Sequence, residues 1–137
     1  MGQTGVLRKS HVLRYRELPV VDWGNGVTAQ LLVGTALGAE GLTSGITSFE
    51  PGSALPVHTH NCDEQVSVIE GSAVAEVGDE SFALTPFDTT FVPAGIPHRY
   101  INAGQTVMRI LWSYPHSHVT RTLTASGQTI DDLTPPH

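Results

Sequence analysis

The chain has 137 residues, with 13 acidic side chains against 7 Lys and Arg and a formal net charge of −6. That length suits one domain with a single buried core. The acidic balance disfavours a phosphate-binding, nucleic-acid role, and no apolar run approaches the ~20 residues of a membrane helix.

The N-terminus has no apolar stretch of the kind a secretory signal needs. Cys62 is the only cysteine, so no intrachain disulfide can form. Both features agree with a reducing, cytoplasmic setting.

In chain order, residues 1–10 are polar and read as loose. Tyr15 to Trp23 carries Leu18, Val20 and Val21 around Pro19 and reads as an extended entry segment. Gly24-Asn25-Gly26 is a turn signal. Val27, Ala29, Leu31 and Val33 then alternate at period two, which predicts a strand with one buried face. Residues 34–45 are rich in Gly and small side chains and read as a loop or short hairpin, and Ile46 to Phe49 resumes strand character. Pro51-Gly52 turns the chain again. Gln65 to Glu70 predicts a strand with Val66 and Val68 on the same side as Glu64.

Ser72 to Val77 and Ser81 to Leu84 flank Gly78-Asp79 as a hairpin. Thr89 to Val92 predicts a short strand leading into a turn over Pro93 to Pro97. His98 and Tyr100 then share one strand face, with Ile101 on the other. Val107 to Tyr114 is apolar on both faces apart from Arg109 and Ser113, which predicts a strand covered on both sides. The tail from Pro115 is polar and Thr-rich, expected to pack on the body of the protein or on a partner and to fray at Pro135-Pro136-His137. No helical period with an apolar stripe occurs. Short strands with Gly and Pro punctuation predict an all-β sandwich or barrel. Without repeats or a linker, residues 1–137 read as one domain, with a barrel core over 27–114.

Chemistry concentrates in Gly52 to Gly71. His58 and His60 lie one residue apart, so on a strand both aim at one point. Glu64 follows, and His98 supplies a fourth candidate. Imidazole and carboxylate together suit a divalent first-row metal. Neutral imidazoles inside an apolar barrel would each need a polar partner, and a shared metal supplies it.

The first stretch reads Gly52-x5-His58-x-His60-x3-Glu64-x6-Gly71 and the second Pro93-x-Gly95-x2-His98-x3-Asn102. Together they resemble the two motifs of the cupin superfamily, in order and at a matching separation. One position departs from the pattern: Phe87 stands where glycine usually opens the second motif, followed by the expected Asp88. The resemblance implies a double-stranded β-helix, the jelly-roll barrel of two antiparallel sheets. It also implies a metal held by His58, His60, Glu64 and His98, with iron first and Mn, Ni, Zn or Cu as alternatives.

Four protein ligands on an octahedral ion leave room for a substrate oxygen and dioxygen, so a dioxygenase-type oxidoreductase acting on a small oxygen-bearing molecule is the leading expectation. Glu64 would serve as base, and Tyr100, on the face of His98, would add a hydroxyl. Isomerase or lyase chemistry on a sugar-like acid, or ligand binding without catalysis, are the alternatives. Because edge strands need cover and cupins often pair through them, a homodimer is expected.

Other residues have plainer readings. Gln65 should face away from the metal, and Asn102 is either a ligand-orienting group or a turn residue. Cys62 reads as a partly buried loop cysteine beside a solvated Asp63. His116 and His118 form a second His-x-His with no further ligand at metal spacing, a surface pair. His11 and His137 read as exposed. Phe49, Met108, Ile110 and Trp112 are core residues that could also line a pocket. Arg109 should reach an edge, pair with an acid such as Glu50 or Glu76, or meet an anionic substrate.

Overall fold

Alternating apolar side chains give strands that can bury one face only against another sheet. The structure, a computed structural model, describes residues 8–133. The expectations for residues 1–7 and for Pro135 to His137 lie outside them. The strands are β1 (Val21–Gly24), β2 (Val27–Val33), β3 (Thr43–Phe49), β4 (His58–His60), β5 (Glu64–Glu70), β6 (Ala73–Val77), β7 (Glu80–Leu84), β8 (Thr89–Val92), β9 (His98–Ile101), β10 (Met108–Tyr114), β11 (Thr120–Leu123) and β12 (Thr129–Asp131). They form two antiparallel six-stranded sheets. One runs β1-β2-β3-β10-β5-β8, the other β12-β11-β4-β9-β6-β7. This is the jelly-roll architecture expected from the motifs.

Between the sheets lies a core of Val27, Phe49, Val66, Val68, Ala75 and Met108, each almost fully buried. β3 and β10 pair along their whole length, and both alternate buried with half-buried positions. β10 is therefore covered on one face and only partly on the other, where Arg109, Leu111 and Ser113 emerge. The outer-face residues tolerate partial water contact, which a fully enclosed strand would not offer. Arg109 pairs with Glu70 there and also donates to Ser48 Oγ at 3.1 Å and Tyr15 Oη at 3.3 Å. Its acid is thus neither Glu50 nor Glu76; Glu76 instead accepts from Arg99 at 2.6 Å.

The segment read as a loop or hairpin after β2 contains a single 3-10 turn, Thr35–Leu37, and its end already belongs to β3. Both arms enter the sheets. β1 pairs with β2, and the polar tail folds back as β11 on β4, with β12 on β11.

Phe87 adopts a left-handed backbone, φ +76°, a conformation that costs a non-glycine residue roughly 1–2 kcal/mol. Its ring is largely exposed. The turn persists because the Asp88 carboxylate accepts from the Thr85 N–H at 2.9 Å, and the Phe87 N–H donates to Val68 O at 2.6 Å. The motif glycine is absent and its turn is kept.

Candidate metal centre

β4 is only three residues long, and its two inward positions are His58 and His60. His98, the first residue of β9, is the register partner of His58. These three imidazoles come from one sheet, while Glu64, at the start of β5, arrives from the other. All four are at most 5 % exposed. The histidine ring centroids lie 4.5, 4.7 and 5.1 Å apart, and one donor nitrogen from each falls within 4.8 Å of the others.

Each ring is oriented from behind. His58 Nδ1 lies 2.8 Å from Pro56 O, His98 Nδ1 2.8 Å from Ile96 O, and His60 Nδ1 3.0 Å from Thr120 O. A carbonyl oxygen can only accept, so each Nδ1 carries the hydrogen. In the neutral ring each Nε2 then presents a lone pair. This outward Nδ1–H tether is the usual support of a metal-ligating histidine.

Glu64 Oε1 stands 2.9 Å from His98 Nε2 and 3.6 Å from His60 Nε2. A proton on His98 Nε2 makes the shorter contact a hydrogen bond to Glu64, and a divalent cation would take that proton's place between the same two atoms. The residues fit a metal of the imidazole-and-carboxylate class.

Burial, and secondly the nearby Arg121, pushes the His58 pKa down to about 2. Burial also lowers His60, partly opposed by Glu64 and Asp132. Both rings therefore stay neutral, the form that binds metal. Tyr114 is buried over His60, donating its hydroxyl to Nε2 at 3.2 Å. Its own pKa is raised, first by burial and then by Glu64 and Asp132.

Beside the cluster is a cavity of about 140 Å³, walled by Trp23, Phe49, Leu55, Ile110 and Trp112, with His58, Glu64, Tyr100, Arg121 and Asp132 also on its lining. Tyr100 reaches it with its hydroxyl engaged by Thr90 Oγ1 at 2.8 Å. Met108 is core and does not line the cavity.

The second-tier residues separate cleanly. Gln65 is exposed. Asn102 is fully buried, donates to Phe49 O and Thr106 O, and accepts from the Gly104 N–H, so it organises a turn. Cys62 is half-buried and its thiol is pushed up to about 11, mainly by burial. Asp63 accepts from the Ala94 N–H at 3.0 Å. His116 and His118 are exposed, as is His11.

Among the residues at the site that escaped sequence reasoning are Trp23, Tyr114, Arg121 and Asp132. Trp23 and Tyr114 bore only strand signals. Arg121 and Asp132 sit in a polar tail, and they are carried inward by the pairing of β11 with β4 and of β12 with β11. The one faint signal was a lone arginine between threonines in a Val-Thr-Arg-Thr-Leu alternation.

A histidine-lined, double-sheeted jelly roll defines a class, and the sequence agrees with the geometry. The family model described as "Cupin domain" matches residues 45–114. The chain belongs to the cupin family.

Among curated relatives, the tetracenomycin polyketide synthase protein TcmJ of Streptomyces glaucescens is 32% identical over 88 residues, covering 64% of this chain and 59% of that one. Auxin-binding protein T85 of Nicotiana tabacum is 27% identical over 101 residues, covering 65% and 54%. The chain thus spans somewhat over half the length of these relatives. Among solved structures, the polyketide cyclase RemF of Streptomyces resistomycificus shares the fold at a TM-score of 0.72 and 18% identity, covering 92% of this chain and 87% of that one. An oxalate oxidase in complex with glycolate shares it at 0.62 and 22%, covering 69% and 54%. Among the described residues no helix is long and apolar enough to cross a membrane.

Proposed function

We propose that the chain is a metal-dependent cupin enzyme acting on a small oxygen-bearing molecule, with dioxygenase-type oxidation as the first reaction to test. One observation carries this reading: three buried histidines, each tethered through Nδ1 to a backbone carbonyl, cluster within reach of one ion at the edge of an aromatic cavity, with Glu64 beside His98 and His60. A divalent ion held by His58, His60, Glu64 and His98 would supply Lewis-acid polarisation and, if iron, one-electron chemistry with oxygen.

The protein's own groups do the rest. The Trp23, Phe49 and Trp112 walls exclude water from the reacting molecule. Glu64, released from the ion, would be the base that accepts a substrate proton, as the carboxylate nearest the histidines. Tyr100, its hydroxyl held by Thr90, orients a substrate oxygen. A cavity of about 140 Å³ is close to the ~150 Å³ that holds a benzene ring, so the enclosed part of the substrate is about one ring in size. The setting is taken as cytoplasmic and the assembly as a homodimer.

A second reading is non-oxidative acid–base chemistry, such as ring closure or isomerisation. It is favoured by the likeness to TcmJ and to the polyketide cyclase RemF, and it uses the same residues without oxygen. The test loads metal-free protein anaerobically with Fe(II), adds diketones, flavonols or thiol acids, then admits oxygen. Substrate-dependent oxygen uptake that is lost in Glu64→Ala supports oxidation. Product formed equally with Zn(II) and without oxygen supports the second reading.

A further inference from the structure

Arg121 is the register partner of His60 across β11 and β4. Side chains at paired positions leave the same face of a sheet, so the guanidinium enters the space between the sheets beside the histidine cluster. It is 6% exposed and lines the cavity together with His58 and Glu64. Its Nε and one terminal nitrogen, NH2, each lie 3.0 Å from the same Asp132 oxygen, Oδ1. The Trp23 ring covers its face at 4.5 Å. The other terminal nitrogen, NH1, has no partner among the described residues. A guanidinium offers five N–H groups in a rigid fork that suits a carboxylate, and this one keeps donors to spare on a cavity wall.

The charges point the same way. Arg121, Asp132 and Glu64 are the charged residues on the described lining. With a divalent cation at the histidines, two negative side chains face three positive charges. One positive charge is left over in a buried space, where uncompensated charge is costly.

We infer that the cavity takes a ring-sized monoanion, an aromatic or alicyclic acid or its like, and that Arg121 selects it by binding the anionic oxygen through its free edge. This rests on the metal reading above and names the substrate class for that site. The ring lies against Trp23, Phe49 and Trp112. Asp132 is a positioning residue that holds the guanidinium in place, and Trp23 stacks on its face.

The chain's 2 tryptophans, Trp23 and Trp112, both line the cavity, so intrinsic fluorescence reports its occupancy. The experiment first titrates metal-free full-length protein with Zn(II) by calorimetry, then titrates the zinc form with benzoate and with its neutral isostere benzamide. Wild type is expected to bind benzoate at least about tenfold more tightly than benzamide, the scale of a charge-assisted hydrogen bond. The double variant Arg121→Gln with Asp132→Asn keeps the wall neutral. The positive charge left by zinc and Glu64 is the same in it, so it is expected to bind zinc and benzamide about as before and to bind benzoate about tenfold more weakly than wild type, the part supplied by the guanidinium fork.

Should that variant not fold, as judged by circular dichroism, Arg121→Lys keeps the charge and removes the fork, and benzoate affinity is expected to fall several-fold. Benzoate affinity undiminished in the zinc-loaded variant, or a preference missing from zinc-loaded wild type, overturns the role of Arg121 and leaves the metal reading standing. Absence of zinc binding in wild type overturns both, and the calorimetry shows it before any benzoate is added.

Discussion

Gly45 faces Trp112 across the β3–β10 pairing, and a methyl group on Gly45 would overlap the indole ring. The missing side chain makes room for Trp112, whose Nε1–H donates to Thr47 Oγ1 at 2.8 Å. Gly45→Ala forces the ring away from that bond and into the cavity. Overpacking of this kind costs about 1–3 kcal/mol, so denaturant unfolding should show a lower midpoint at unchanged slope. Ligand entry into the narrowed cavity should weaken in parallel.

Metal affinity is expected to depend on every member of the cluster. On the proposed site, His58→Ala and His98→Ala would each remove a ligand and strand the carbonyl of Pro56 or Ile96 that oriented it. Calorimetric zinc affinity should fall by about 100-fold or more, beyond the 10–100-fold typical of losing a supporting group. His116→Ala, on the exposed pair, should leave it unchanged. A zinc isotherm in which His98→Ala matches wild type would remove His98 from the site.

Metal removal should destabilise the fold. A ligand that binds only the folded chain, at a free concentration of 100 times its dissociation constant, adds about 2.7 kcal/mol. Chelation is therefore expected to lower the melting temperature by several degrees, and zinc to restore it. Identical melting curves with and without chelator would contradict the site.

In the metal-free protein, acid should unfold the chain through the same histidines. His58 sits at about 2 in the fold against 6.5 in the free side chain, and His60 is also lowered. The unfolded chain takes up protons from pH 6.5 downward while the folded rings refuse them. The contribution of both rings is complete above 6.5 and is lost as pH falls below it, for His58 down to about 2. The slope from His58 is about 1.4 kcal/mol per pH unit, and His60 adds to it in the same direction. Urea midpoints between pH 7 and pH 4.5 measure it, and a flat profile would argue against neutral, buried rings.

Phe87 holds a left-handed backbone with its ring in solvent. Phe87→Gly relieves the strain at some cost in unfolded-state entropy. A net gain of about 0.5–1 kcal/mol is expected, read as a raised melting temperature.

The sequence carried much of the site and less of its surroundings. His58 and His60 were legible because a strand repeats every two residues. Glu64, Val66 and Val68 were placed on one face by the same rule, and Gly78-Asp79 marked its hairpin. Arg121 and Asp132 were hidden because their inward position comes from β11 pairing with β4 some 60 residues earlier, and long-range register leaves no local pattern. Arg109 was read correctly as pairing with an acid, but with the wrong one. It lies in an apolar run, yet alternation puts it on the outer face of β10, where Glu70 was within reach.

The place of β10 also sets when this protein can fold. It lies between β3 and β5 in its sheet, although it is made long after both. Until Tyr114 has left the ribosome, β3 and β5 are two bare edges facing an empty slot, and the first sheet exists only as separate halves. Such non-local closure is slow, and open edges invite pairing with other chains. A growing chain stopped before residue 108 should therefore be sensitive to protease and prone to aggregate, while release of β10 closes the sheet in a single late step.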